Sequence, residues 1–306
     1  MKKWPYCLTF GLLISGATLA ASSASSELAV HHELIRSAGN QVEIYWAVPP
    51  AAQGKLPVVV YIHGVQGDAR PGAKNFVEGG LLKLSADNGY LSIGMSMPGY
   101  GQSTGKADFC GAGTQVALRS VLAQVRTWAS VDRKRIIVSG LSCGAVAAAM
   151  VADKEPLAGM VLISGVYDFA EMDQKWHTPD WPLDPATMKY IDDSAAADGT
   201  PDNASARRSA LPNASQFKSP MLLVAGGKDR IVDQEQSIRL DKALKQNGKQ
   251  STLILNPEGE HLISYEAWAS YVNDFARRIF ARAAHARSLK TARLRVHGVS
   301  HERRAA

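Results

Sequence analysis

The stretch IIVSGLSCGAVAAAM, residues 136–150, decides how this chain is interpreted. Apolar residues typical of a buried strand run into a glycine, and small residues suited to a helix follow a second glycine. Between them, Gly140-Leu141-Ser142-Cys143-Gly144 fits the pattern G-x-S-x-G at a strand-to-helix turn. A nucleophile at so sharp a turn has a strained backbone, and its flanking positions need glycine because larger side chains would clash. The pattern predicts a nucleophile at Ser142, although an ordinary turn serine has the same appearance.

Strand-like and helix-like segments alternate on both sides of this turn. Gly39-Asn40 joins two extended segments and is a hairpin signal. Further strand-like runs are LPVVVYIHG, YLSIGMSMPG, RIIVSG, LAGMVLISG, SPMLLVAGG and QSTLILNP, and helices are predicted near 73–88, 113–129, 234–246 and 264–284. This order predicts an α/β fold with a mostly parallel central sheet and helices on both faces, over residues 28–284.

The alternation stops over residues 166–217, which are rich in Asp, Pro, Ala, Trp and Ser. We predict an insertion of short helices and loops that forms a small lid over the carboxyl ends of the strands. Open α/β sheets bind their ligands at that edge. Trp176 and Trp181 either bind substrate there or pack the insertion onto the body of the domain.

Two polar residues downstream complete a catalytic pattern. Asp229, in VAGGKDRIVD, comes just after one strand, and His261, in NPEGEHLI, comes after the next. The chain order Ser…Asp…His is that of α/β-hydrolase triads. His261 would take the proton of Ser142, and Asp229 would hold the imidazole and stabilise its charged form. Asp233 and Asp168 are alternative carboxylates.

The segment YIHGVQGD also follows a strand, and its Gly64-Val65-Gln66 can turn a backbone N–H toward the nucleophile. Together with the N–H of Cys143, this would form an oxyanion hole with two donors. His63 is expected to be structural, beside this loop.

These landmarks, with the loop MPGYGQSTG, span residues 57–280. The chain resembles the α/β-hydrolases, in particular the branch of dienelactone-hydrolase-like proteins and prolyl-oligopeptidase-type catalytic domains. The resemblance implies a serine hydrolase with Ser142 as nucleophile, Asp229 as acid and His261 as base. It also implies that the Val65 and Cys143 amides are the oxyanion donors. Dienelactone hydrolases carry cysteine where this chain has serine, and the chain has no room for the large propeller of proline-specific peptidases.

Cys110 follows the MPGYGQSTG loop, which in this fold lies over the same edge of the sheet as the Ser142 turn. Two arrangements remain open for Cys110 and Cys143. A disulfide would fasten the loop to the turn and would require the Cα atoms to lie within ~7 Å. Otherwise the two are unpaired, buried small residues.

The amino terminus has the pattern of an export signal. Lys2 and Lys3 precede an apolar run up to Ala20, and the small residues AASSASS follow. We predict a signal peptide over residues 1–24 and a periplasmic or secreted protein. A retained membrane anchor is the alternative, although the run is shorter than the ~20 residues that a span needs.

The net charge of +6 resides in the carboxyl-terminal tail. Seven basic residues against one acidic residue, from Arg282 onward, account for the whole excess. We expect residues 285–306 to form a solvated extension, with binding to an acidic surface as the alternative, and no nucleic-acid partner.

No His/Cys cluster has the spacing of metal ligands, and GVQGDARPG lacks the lysine of a phosphate-binding loop. The predicted mechanism therefore needs no metal and no cofactor. The sequence predicts an exported serine hydrolase that cleaves a small carboxylic ester through an acyl-enzyme on Ser142. A peptidase or amidase of small peptides uses the same triad and stays open, as does a non-catalytic binding protein with this fold. The oligomeric state is not predicted.

Overall fold

An eight-stranded sheet runs through a computed structural model of the chain, which describes residues 28–282 except 51, 153 and 182. The strands are β1 Val30–Ser37, β2 Asn40–Ala47, β3 Leu56–Ile62, β4 Leu91–Met95, β5 Val131–Leu141, β6 Gly159–Ile163, β7 Met221–Gly226 and β8 Ser251–Asn256. The predicted signal peptide, 1–24, and basic tail, 285–306, lie outside the described residues.

The strand order is β1-β2-β4-β3-β5-β6-β7-β8. The first two strands form the predicted antiparallel hairpin, and its two-residue turn places Ala38 and Gly39 at φ 46° and 85°. β2 pairs with β4 antiparallel, and every later pair is parallel. The predicted mostly parallel α/β-hydrolase fold is confirmed.

Helices cover both faces of this sheet. They are α1 Lys74–Glu78, α2 Leu81–Asp87, α3 Ala112–Thr127, α4 Cys143–Val151, α5 Phe169–Trp176, α6 Pro185–Ala196, α7 Pro201–Arg208, a 3₁₀ helix Leu211–Gln216, and α8 Glu235–Gln246. A last helix, α9, begins at residue 265 and continues to residue 282. The single helix predicted near 73–88 is two helices, because Gly79-Gly80 interrupts it and Gly80 has a left-handed φ of 77°.

The core has two layers, one on each side of the sheet. Alternate residues of β3 belong to different layers: Val58, Val60 and Ile62 pack on one side, and Val59 and Tyr61 pack on the other. Successive side chains of a strand point to opposite faces, so a strand that packs on both sides is apolar throughout. The continuous apolar run LPVVVYI is the sequence signature of that position.

The insertion predicted at residues 166–217 lies between β6 and β7 and contains α5, α6, α7 and the 3₁₀ helix. Its Pro and Asp content marks helix starts. Asp184 caps α6 by accepting the N–H groups of Ala186 and Thr187, and a proline occupies the first turn of α6 and of α7. The Pro and Asp residues that weaken the hydrophobic periodicity of this segment therefore lie at closely spaced helix amino termini.

Candidate active site

Ser142 stands at the sharp turn between β5 and α4. Its backbone has φ 55° and ψ −121°, in a region that residues with side chains rarely occupy. Its N–H donates to the carbonyl of Ile163 at 2.8 Å, and its own carbonyl accepts from the N–H of Ala145 at 2.9 Å. These bonds hold the turn from both the sheet and the helix, as the G-x-S-x-G pattern predicts.

The two flanking glycines allow backbone segments to approach each other. A Cβ on Gly140 would lie 2.2 Å from the carbonyl oxygen of Gly144. A Cβ on Gly144 would lie 2.3 Å from the carbonyl oxygen of Ile62, at the end of β3. Both distances are far shorter than any side chain tolerates, so the turn depends on glycine at both positions.

Asp229 and His261 form a hydrogen-bonded, buried pair. Oδ2 of Asp229 lies 2.8 Å from Nδ1 of His261. Oδ1 of the same carboxylate accepts the N–H groups of Ile231 and Val232, at 2.8 and 2.9 Å. With one oxygen held by the backbone, the other can only face the imidazole, which fixes the orientation of the ring. No described residue binds the second ring nitrogen, Nε2.

The alternative carboxylates are engaged elsewhere. Asp168 caps α5 and forms an ion pair with Arg239 at 2.8 Å. Asp233 forms an ion pair with Lys175 of α5 at 2.6 Å. Among the described contacts, neither carboxylate reaches His261, and the geometry therefore leaves Asp229 as the partner of the imidazole.

A second set of contacts joins α5 to the turn that carries Asp229. The indole N–H of Trp176 donates to the carbonyl of Ile231 at 2.7 Å, beside the Lys175–Asp233 ion pair. Glu171 of α5 also binds Arg239 of α8. The start of the insertion and the Asp229 turn therefore form one connected polar structure.

Ser142 and His261 line the same cavity, which has a volume of about 480 Å³. No hydrogen bond joins the Ser142 hydroxyl to the His261 ring among the described residues. Such bonds are often long before substrate binds and shorten in the reacting complex. The structure thus brings the three predicted triad residues to one site, in the predicted chain order.

His63 holds the loop that carries the predicted oxyanion donor Val65. The Met97 N–H donates to Nε2 of His63 at 3.0 Å, so Nδ1 carries the proton and donates to the Gly64 carbonyl at 2.7 Å. That carbonyl and the Val65 N–H are the two ends of one trans peptide unit and point in opposite directions. Fixing the carbonyl therefore fixes the direction of the N–H, and Val65 lies in the cavity wall.

Burial lowers the pKa of His63 from 6.5 to about 4, so the contribution of His63 to the free energy of unfolding depends on pH. Between these two values the unfolded chain binds a proton that the folded chain does not, and stability falls as the pH decreases from 6.5 to 4. The full loss is about 3 kcal/mol, since one pKa unit is worth about 1.4 kcal/mol. We expect urea unfolding at pH 7.5, 5.5 and 4 to show a free energy of unfolding that falls with decreasing pH, and we expect His63→Gln to reduce this slope. The exposed His31 is the matched control: His31→Gln should keep the slope, and equal slopes in parent and His63→Gln would contradict the assignment.

Cys110 and Cys143 are both buried, free thiols. The disulfide arrangement is therefore not formed in this structure, although the two side chains contact each other. Burial raises the pKa of the Cys143 thiol well above its usual value, and the hydrogen bond with Cys110 raises it further. Only the thiolate is a good nucleophile. Cys143 is therefore held neutral beside Ser142, and its backbone N–H, in the first turn of α4, has no acceptor within the helix.

The walls of the cavity are largely apolar, and of their apolar side chains on the insertion only Trp176 was considered from the sequence. On the side of the insertion they include Phe109, Val146, Val166, Trp176, Leu183 and Ile191. On the other side they include Phe76, Tyr265 and Trp268. Trp176 is 4% exposed, so it packs the insertion and lines the cavity at once, whereas Trp181 packs against the core and under Lys175 and does not line this cavity.

Among the described residues, no group of three or more His, Cys, Asp or Glu side chains is placed to hold a metal ion. None of the described helices is both long and apolar enough to cross a membrane.

The sequence of residues 115–283, more than half of the chain, matches the profile of the prolyl oligopeptidase family. No curated protein sequence is significantly similar to the chain.

Several solved structures share the fold. An esterase of Pyrococcus furiosus superposes with a TM-score of 0.62 at 17% identity, over 82% of this chain and 93% of the esterase. The acylaminoacyl peptidase of Pyrococcus horikoshii gives 0.64 at 18% identity, over 83% of this chain and 41% of the peptidase. A 2,6-dihydroxy-pseudo-oxynicotine hydrolase gives 0.59 at 17% identity, over 80% and 67%. This chain therefore spans about two fifths of the peptidase and nearly all of the esterase.

Proposed function

This chain belongs to the prolyl oligopeptidase family and is a serine hydrolase, and on that premise we propose that it cleaves an uncharged carboxylic ester through an acyl-enzyme on Ser142. Export is part of the proposal and rests on the signal pattern of residues 1–24. Protein recovered from outside the cytoplasm should then have the intact mass of the chain without those residues.

In this proposal, the Ser142 hydroxyl attacks the ester carbonyl while Nε2 of His261 takes its proton. Asp229 holds the ring by Nδ1 and stabilises the imidazolium that forms. The N–H groups of Val65 and Cys143 bind the oxyanion, and each such donor contributes about 3 kcal/mol to transition-state stabilisation. His261 returns the proton to the departing alcohol, and a water activated by the same ring releases the acid.

The residues of the cavity wall favour an ester over a peptide as the substrate. Of the described residues that line it, none is a lysine or an arginine, and the only carboxylate is Asp184. The Asp184 side chain is exposed and already accepts two backbone N–H groups as the cap of α6. A short peptide whose carboxyl terminus entered this wall would leave that carboxylate without a basic partner, which costs several kcal/mol. An uncharged ester avoids that cost.

The first test is labelling of the purified protein with a fluorophosphonate probe, which reacts only with an activated serine. We expect the parent to be labelled and both Ser142→Ala and His261→Ala to remain unlabelled. Cys143→Ser serves as a control, because the proposal uses only the backbone of that residue, and it should still be labelled. Absence of labelling in a folded parent, checked by circular dichroism, would favour the non-catalytic binding protein.

The second arm compares matched substrates on the parent enzyme that has not been treated with the probe. We expect turnover of p-nitrophenyl butyrate, and no detectable turnover of butyryl p-nitroanilide or of unblocked tripeptides. Cleavage of such peptides with kcat/KM within about tenfold of the ester would replace the esterase proposal by the peptidase alternative.

A further inference from the structure

A strained pair of residues stands at the edge of the cavity. Phe109 and Cys110 have φ values of 43° and 54°, so two successive residues with side chains occupy the left-handed region. Neither is a glycine, asparagine or aspartate, the residues that adopt this conformation most readily. Such strain persists only where the surroundings impose it, and it is concentrated at functional sites.

Two residues of the insertion impose this conformation. The Phe109 N–H donates to the hydroxyl of Tyr190, on α6, at 2.8 Å. Arg208, on α7, donates from Nε to the Phe109 carbonyl and from Nη2 to the Asp108 carbonyl, both at 2.9 Å. Arg208 is only 1% exposed, and its charge is balanced by Asp198. A buried guanidinium thus holds two successive backbone carbonyls next to the active site, and the Tyr190 hydroxyl holds the N–H group between them.

The result of this arrangement is the position of the Phe109 ring. The ring lines the cavity and makes edge contacts with Trp176 and Tyr190, at centroid distances of 6.0 and 5.9 Å. The next residue, Cys110, contacts Cys143 beside the nucleophile. Phe109 therefore closes the cavity between the Ser142 turn and the insertion, on its apolar side.

We propose that Phe109 limits the length of the acyl group that the enzyme accepts, and that Tyr190 and Arg208 are positioning residues that hold its ring in place. This inference rests on the proposed function. The acyl group is uncharged and apolar, because the wall around Phe109 is built from Val146, Trp176 and Ile191. Long acyl chains are excluded while the ring remains in place.

The test measures kcat/KM for p-nitrophenyl esters with acyl chains of two, four, eight and twelve carbons. The parent should prefer the short chains. Phe109→Ala should raise the ratio of the twelve-carbon to the four-carbon ester at least tenfold, since even one methylene in an apolar pocket changes kcat/KM by about 10- to 200-fold. Tyr190→Phe, which removes the acceptor of the Phe109 N–H and keeps the ring, should raise the same ratio by a smaller factor.

Phe217→Ala is the matched control, because Phe217 is also buried, at 2% exposure against 6% for Phe109, but does not line the cavity. It should lower stability and leave the ratio unchanged. A uniform loss over all chain lengths in both Phe109→Ala and Tyr190→Phe would overturn the inference. If Phe109→Ala does not fold, Tyr190→Phe alone decides.

Fluorophosphonate labelling of every variant distinguishes a failure of the proposed function from a failure of this inference. An unlabelled parent refutes the proposed function, whereas normal labelling with an unchanged ratio of the twelve-carbon to the four-carbon ester refutes only the role of Phe109.

Discussion

Asp229→Asn is expected to lower kcat/KM for a short ester by about 10³- to 10⁴-fold without unfolding the protein. The amide has nearly the shape of the carboxylate, but it cannot stabilise a charged imidazole and allows the wrong tautomer of His261. The measurement is steady-state hydrolysis at pH 8, with circular dichroism and thermal unfolding as checks on the fold.

The alternative carboxylates supply matched controls for this substitution. Asp168→Asn weakens the ion pair with Arg239 and the cap of α5. Asp233→Asn weakens the ion pair with Lys175 and the hydrogen bond to the N–H of Glu235 at the start of α8. Each should cost about 1 kcal/mol of stability and leave kcat/KM within about threefold of the parent. A loss at either position as large as that at Asp229 would show that the acid of the triad has been misassigned.

Gly144→Ala is expected to destabilise the protein by at least about 3 kcal/mol, or to prevent folding. Its Cβ would lie 2.3 Å from the Ile62 carbonyl and 2.6 Å from the His63 carbonyl. Both atoms belong to the backbone at the end of β3, so relief requires either the strand or α4 to move. The measurement is the free energy of unfolding in urea, together with the soluble yield.

Gly67→Ala is the control, because an added Cβ there meets nothing within 4 Å and the backbone is not left-handed. It should remain within about 1 kcal/mol of the parent. Equal stability of Gly144→Ala and Gly67→Ala would mean that the helix and the strand are less tightly packed than described.

Local sequence patterns were sufficient to predict the sheet and the order of the site residues. The apolar run of β3 predicts a strand buried on both faces, and the glycines around Ser142 predict the turn, because each signal lies within a few neighbouring residues. The placement of Asp229 and His261 needed one more rule, that the carboxyl ends of parallel strands meet at one edge.

The rest depends on contacts between distant parts of the chain. Nothing in the letters Phe-Cys indicates two left-handed residues at 109 and 110, since the conformation is imposed by Tyr190 and Arg208, 80 to 100 positions away. The apolar cavity wall is likewise assembled from several separate elements. In contrast, the break at Gly79-Gly80 was visible in the sequence, and the prediction of one helix there gave too little weight to two successive glycines.

The connection between α5 and the Asp229 turn restricts how the cavity can open. Trp176 and Lys175 hold that turn through Ile231 and Asp233. An outward movement of α5 would therefore either break these two contacts or pull on the segment that carries Asp229. Opening of this side of the cavity is therefore coupled, through two contacts with α5, to the segment that carries the acid of the triad.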